Sequence, residues 1–146
     1  MEKTSIPSKK YKAKRKGFIH FIIGGLALLP FSIFQFNTEL IQEAPWLILP
    51  FLAPLALILW IYLDTFYQIE GAVLSYRSGF LQGKIPISGI REIQDGKTGW
   101  AGVKPALSSG GIIIKFGKYD EIYLAPECNS ELIQDLLEIN PRISVS

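Results

Sequence analysis

Two uncharged apolar runs constrain this chain more than any other feature. Phe18 to Phe36 reads FIHFIIGGLALLPFSIFQF, and Trp46 to Leu63 reads WLILPFLAPLALILWIYL. As helices rising 1.5 Å per residue, both approach the roughly 30 Å hydrocarbon thickness of a bilayer. Trp46, Trp60 and Tyr62 stand near the ends of the second run, where aromatic rings favour the membrane interface. Both runs are therefore read as transmembrane helices, joined by the short link NTELIQEAP into an antiparallel hairpin. A cleaved signal peptide fits the first run less well, because the run is long for a signal core and no small-x-small pattern precedes the link.

Charge sets the orientation. Residues 1–16 carry Lys3, Lys9, Lys10, Lys12, Lys14, Arg15 and Lys16 against Glu2 alone, whereas the link carries only Glu39 and Glu43. The positive-inside rule places the basic tail in the cytoplasm, the link outside and everything after Asp64 back in the cytoplasm. Both ends are then cytoplasmic. From Asp64 onward ten acidic residues outnumber eight basic ones, which gives no pull toward nucleic acid. The tail has two readings: a topology signal, or contact of Lys9, Lys10, Lys12, Lys14, Arg15 and Lys16 with anionic lipid headgroups. His20, two residues inside the first run, is read as an imidazole at headgroup level. Pro30, Pro50 and Pro54 are read as ordinary prolines of membrane helices rather than gating kinks.

After Asp64 the pattern changes to short apolar segments punctuated by glycine, as in a small antiparallel sheet. TFYQIEGAVLSYR predicts a hairpin turning at Glu70-Gly71, and SGF at 78–80 marks a second turn before LQGKIPI, whose Pro86 suggests an edge or strand end. ISGIREIQ supplies another strand. In IIIKFGKYDEIYL a three-residue loop, Gly117 to Tyr119, gathers Ile112, Ile114, Phe116, Ile122 and Leu124 on one face and sets Lys115 opposite Glu121. That register is preferred over a two-residue Gly117-Lys118 turn, because burial specifies register more firmly than turn chemistry. The adjacent acids Asp120 and Glu121 then point to opposite faces of a strand and cannot flank one substrate bond. PECNSELIQDLLEINP predicts a helix capped by Asn129, striped by Leu132, Ile133, Leu136, Leu137 and Ile139, and ended by Pro141. Too short to persist alone, it must pack on an open end or face of the sheet.

The long segment DGKTGWAGVKPALSSGG, residues 95–111, carries Lys97, Trp100 and Lys104, two cations around one indole. These three are candidate contacts for a protein partner or lipid headgroups. The competing reading is a mobile loop with Trp100 folded onto the sheet. No phosphate-cradling loop is present, since no Gly-Lys-Ser/Thr run follows a strand. Cys128 and His20, one of each, cannot build a thiolate and imidazole zinc site, and Cys128 is read as a small space-filling residue. No catalytic, metal or cofactor residue is assigned.

RSGFLQGKIPISGIREI (77–93) and IIIKFGKYDEIYLAPECNSELIQDL (112–136) resemble the YyaB-like bacterial PH (pleckstrin-homology-like) domain family, known from small membrane-anchored bacterial proteins. The expected fold is thus α+β. A basic cytoplasmic tail (1–16) leads to a transmembrane hairpin (17–63, helices about 18–36 and 46–63) and a cytoplasmic PH-like domain (64–146), an antiparallel sheet or partly open barrel with a C-terminal α-helix. The leading reading is a non-enzymatic protein of the bacterial inner membrane whose domain is an interaction platform for lipid or for an unidentified protein partner. Bacteriocin immunity or membrane-stress protection is the alternative, and an enzyme the weakest reading. The family supplies no catalytic residues and implies no cofactor. Phosphoinositide binding does not transfer, because TFYQIEGAVLSYR bears Arg77 as its only cation.

Overall fold

The computed structural model of the chain describes residues 8–36, 38–99 and 104–146. Strand β1 (Ser8–Lys12) precedes helices α1 (Phe18–Phe36), α2 (Thr38–Glu43) and α3 (Leu49–Leu63), the last entered through a 3₁₀ turn at Pro45–Ile48. Strands β2 (Phe66–Glu70), β3 (Val73–Ser78) and β4 (Leu81–Pro86) follow, then a 3₁₀ turn at Ile87–Gly89 and strand β5 (Ile90–Asp95). Strands β6 (Ile112–Phe116) and β7 (Asp120–Leu124), helix α4 (Asn129–Ile139) and the short β8 (Ser144–Val145) complete the order. They build two four-stranded sheets, β1-β2-β3-β4 and β7-β6-β5-β8, with β8 parallel to β5 and all other pairings antiparallel. The α+β class is as expected: two apolar helices, antiparallel sheets, and a helix after the last hairpin.

One correction changes the architecture. The described part of the expected basic tail, from Ser8 on, is not separate from the domain, because Ser8–Lys12 pairs along the whole of β2, from Ser8 opposite Glu70 to Lys12 opposite Phe66. Tyr11 and Ala13 are buried in the core while Lys10 and Lys12 point outward. This is strand alternation, with lysines on an edge strand that would otherwise invite further pairing. Beyond it, Ala13 bridges Pro126, the Lys14 N–H donates to Ala125 O at 2.7 Å and the Glu127 N–H donates to Lys12 O at 3.0 Å. The first sheet is thereby joined to the chain leaving β7. The two long helices are consequently an insertion between two adjacent, hydrogen-bonded strands.

The hairpin turns follow glycine. Gly71, with φ of +60°, opens the two-residue turn Gly71-Ala72 between Glu70 and its partner Val73, one residue later than the expected Glu70-Gly71. Gly79 does the same between β3 and β4, again with positive φ. The last hairpin has the three-residue loop Gly117 to Tyr119, with Lys115 opposite Glu121 and Ile114 opposite Ile122. Ile112, Ile114, Ile122 and Leu124 are fully buried on its inner face, as burial demanded. Pro86 ends β4, on the outer edge of its sheet.

The core lies between the sheets and under α4, and includes Tyr67, Leu74, Ile85, Ile87, Ile93, Leu132 and Leu136. Leu132, Ile133 and Leu136 are buried and Leu137 packs partly against them, each buried aliphatic contributing about 1.5–3 kcal/mol by area. That burial supports a helix of 11 residues that is marginal alone. Asn129 does not cap it. Cys128 holds the cap position, and the Asn129 amide instead donates to Asp95 Oδ1 at 2.9 Å and Gly110 O at 3.0 Å, tying the helix start to both ends of the 95–111 segment. Cys128 itself is exposed rather than space-filling.

The start of α4 is also clamped by β1. Lys9 reaches Glu131 at 2.8 Å and Asp135 at 2.6 Å, and the Tyr11 hydroxyl donates to the same Asp135 carboxylate. The lysine and the hydroxyl hold the Asp135 carboxyl below the usual aspartate range. A depressed carboxyl contributes stability above its unfolded pKa and loses it as pH falls through the folded value. Stability should therefore be flat near neutrality and fall as pH drops below roughly 4. In Asp135→Asn this part of the acid limb should be missing, as chemical denaturation at stepped pH would record.

Candidate functional site at the foot of the helical hairpin

Both helical legs are docked onto the sheets where they enter and leave. On the α3 side, the buried Thr65 hydroxyl is shared between Ile61 O at 2.5 Å and Ser78 Oγ at 2.8 Å. Arg77 Nε donates to Asp64 Oδ2 at 2.8 Å at the helix end. Gly79 lies so close to Ile61 that an added Cβ would fall 2.7 Å from its Cγ1, which brings the β3–β4 turn and the exposed Phe80 beside the last turn of α3. On the α1 side, Arg15 donates to Leu63 O at 3.2 Å and lies over the Tyr62 ring, whose hydroxyl is 3.3 Å from His20 Nε2. His20 is thus a link between the two legs, a role its position in the sequence does not reveal.

The cations named from the sequence separate into groups. Lys9 is engaged by α4. The Lys10 ammonium sits 3.9 Å from the Phe66 ring centroid, and Lys10, Lys12 and Arg15 line a cavity of about 290 Å³ beside Leu63 and Thr65. Lys14 comes near Gly110 on the opposite side. Lys16 meets Lys104 in a larger cleft of about 390 Å³ between the first turns of α1 and the 104–109 segment. Lys97 is exposed and does not line this cleft, and Trp100 lies outside the described residues. Lys104 thus lines the same cleft as Lys16, and Lys97 does not.

Ile19, Ile22, Leu107 and Tyr123 form the apolar wall of the cleft. Two tyrosines hold that wall in place. Buried Tyr67 donates to Pro105 O at 2.6 Å and accepts from the Ala125 N–H at 3.1 Å. Tyr123 donates to Ser108 O at 2.8 Å and accepts from the Gly111 N–H at 3.0 Å. The described part of the 95–111 segment is therefore pinned to the sheet rather than loose. Sequence reasoning missed Tyr123 and Leu107 as site residues; Tyr123 lies on the face of β7 opposite Ile122 and Leu124, which the sequence reads as the wet face, yet it is buried and its hydroxyl needs a partner.

The cleft belongs to a domain of two four-stranded sheets and a closing helix. Residues 65–140 match the family described as Bacterial PH domain. The chain belongs to that family. No curated protein and no solved structure matches the chain. The match to the bacterial PH domain begins one residue before β2, so it leaves out β1 and the helical insertion. In this chain the strand that completes the first sheet comes from before the helices.

Proposed function

We propose that this bacterial PH domain is a non-enzymatic interaction platform for protein or lipid, held at the cytoplasmic face of a bacterial inner membrane by α1 and α3. One observation carries the reading: the helical hairpin leaves the sheet at Lys12 and returns at its pairing partner Phe66, so a single end of the domain faces whatever surrounds the helices. Helix α1 and the continuous span Pro45–Leu63, formed by the 3₁₀ turn and α3 together, are each long and apolar enough to cross a bilayer, and their most apolar 18-residue windows are 6% and 0% buried, unlike a core helix of a soluble protein. Phe18, Phe21, Phe36, Trp46 and Leu63 are among the large apolar side chains left exposed, which an apolar solvent would cover. The seven cations before α1 favour the cytoplasm for the domain. The resemblance to membrane-anchored YyaB-like proteins agrees.

The native cysteine provides the test. Cys128 is exposed, and the Ser130 hydroxyl together with the Glu131 N–H holds its thiol below the ordinary cysteine value, so it should react readily. An impermeant maleimide should label it only after cell lysis. In a Cys128→Ser background, Glu43→Cys in the link should be labelled in intact cells. Labelling of Cys128 in intact cells would reverse the orientation, and extraction of the protein by alkaline carbonate would remove the membrane reading altogether.

A further inference from the structure

We propose that the cleft between α1 and the 104–109 segment binds one anionic phospholipid, its phosphate between Lys16 and Lys104 and an acyl chain along Ile19 and Ile22. The inference rests on the membrane reading and gives the platform a specific ligand. Charge is the first ground. Lys16 and Lys104 line the cleft, Lys14 stands nearby at Gly110, and no carboxylate among the described residues lines it. Shape is the second. The cleft is lined by polar Lys16, Ser108 and Ser109 at one part and by the apolar first turn of α1 at another, the gradient an amphiphile needs. Position is the third. If α1 enters the bilayer at Phe18, Lys16 sits at phosphate depth and Ile22 one turn deeper, among acyl chains.

Size agrees, since about 390 Å³ lies within the roughly 300–1,000 Å³ that small-molecule sites use. The cavity by Lys10, Lys12 and Arg15 is the weaker candidate. It is smaller, and it lacks an apolar wall running along a helix.

The full-length protein, delipidated in neutral detergent, would be titrated with phosphatidylglycerol, phosphatidylcholine and inorganic phosphate and read by native mass spectrometry. One equivalent of phosphatidylglycerol should be retained in preference to phosphatidylcholine. Lys16→Gln with Lys104→Gln should weaken it by about fivefold per lysine, and roughly 25-fold together. Ala106→Trp, which fills the cleft without changing charge, should abolish the preference, whereas Lys118→Gln, in the turn of the last hairpin and outside the cleft lining, should leave it intact. Equal retention of both lipids, or full retention in Ala106→Trp, would overturn the proposal. So would displacement of the lipid by millimolar phosphate, which would make this a site for the free anion. Carbonate extraction of the same protein separates the two failures: a protein that washes off refutes the membrane reading, while an integral protein without lipid preference refutes only the cleft.

Discussion

Tyr11→Ala should destabilise the domain by about 3–5 kcal/mol, the range for truncating a large buried aromatic. Tyr11 is 6% exposed, sits in the core with Tyr67 and Ile69, and its hydroxyl is one of two donors to Asp135. Removing it leaves a cavity beneath an edge strand and releases β1 from α4. A small domain with roughly 5–15 kcal/mol in total would retain little margin. Lys10→Ala, one residue away and pointing outward, should change stability by less than about 0.5 kcal/mol. Thermal or denaturant unfolding of the full chain in detergent compares the two directly. Equal, small effects would mean that β1 is not part of the fold.

Gly111→Ala should be nearly as damaging, at about 3 kcal/mol, the upper end for overpacking a well-filled interior. An added Cβ there would run into the backbone carbonyl of Leu124 and lie 2.8 Å from Ala125 Cα. These are main-chain atoms and cannot swing away as a side chain can. Shifting Gly111 would also separate its N–H from Tyr123 Oη, and Tyr123 in turn holds Ser108. The 104–109 wall of the cleft should therefore loosen along with the stability, visible as faster backbone hydrogen exchange across those residues. Gly89→Ala, where a Cβ would meet nothing within 4 Å, is the control and should be close to neutral.

These substitutions mark the boundary of what the sequence discloses. Helix α1 was legible to the residue, because an uncharged run between Gly17 and Asn37 admits few alternatives. The last hairpin was legible because one register buries its isoleucines and the other buries a carboxylate. Strand β1 was missed for a physical reason: seven cations in 16 residues dominate its composition, and five successive residues carry too little periodicity to outweigh them. The alternation was nevertheless present, with Tyr11 and Ala13 inward between Lys10, Lys12 and Lys14. Asn129 looked like a cap, since asparagine before an apolar stripe usually is one, and tertiary partners at Asp95 and Gly110 claimed its amide instead. The cleft was not legible at all. It depends on Lys16 and Lys104 meeting across most of the chain, which follows only once β1 is placed beside β2 and the strand end beside β7.

Amide hydrogen exchange of residues 8–13, in the full-length protein reconstituted in detergent or lipid, tests the insertion architecture most directly. The backbone of this strand pairs with β2 on one side, and Lys12 and Lys14 meet the chain after β7 on the other. Those of its amides that face β2 should exchange nearly as slowly as the amides of Phe66–Glu70, the strand they pair with. Exchange at the rate of an unstructured peptide, with Phe66–Glu70 still protected, would show a free basic tail and contradict the account.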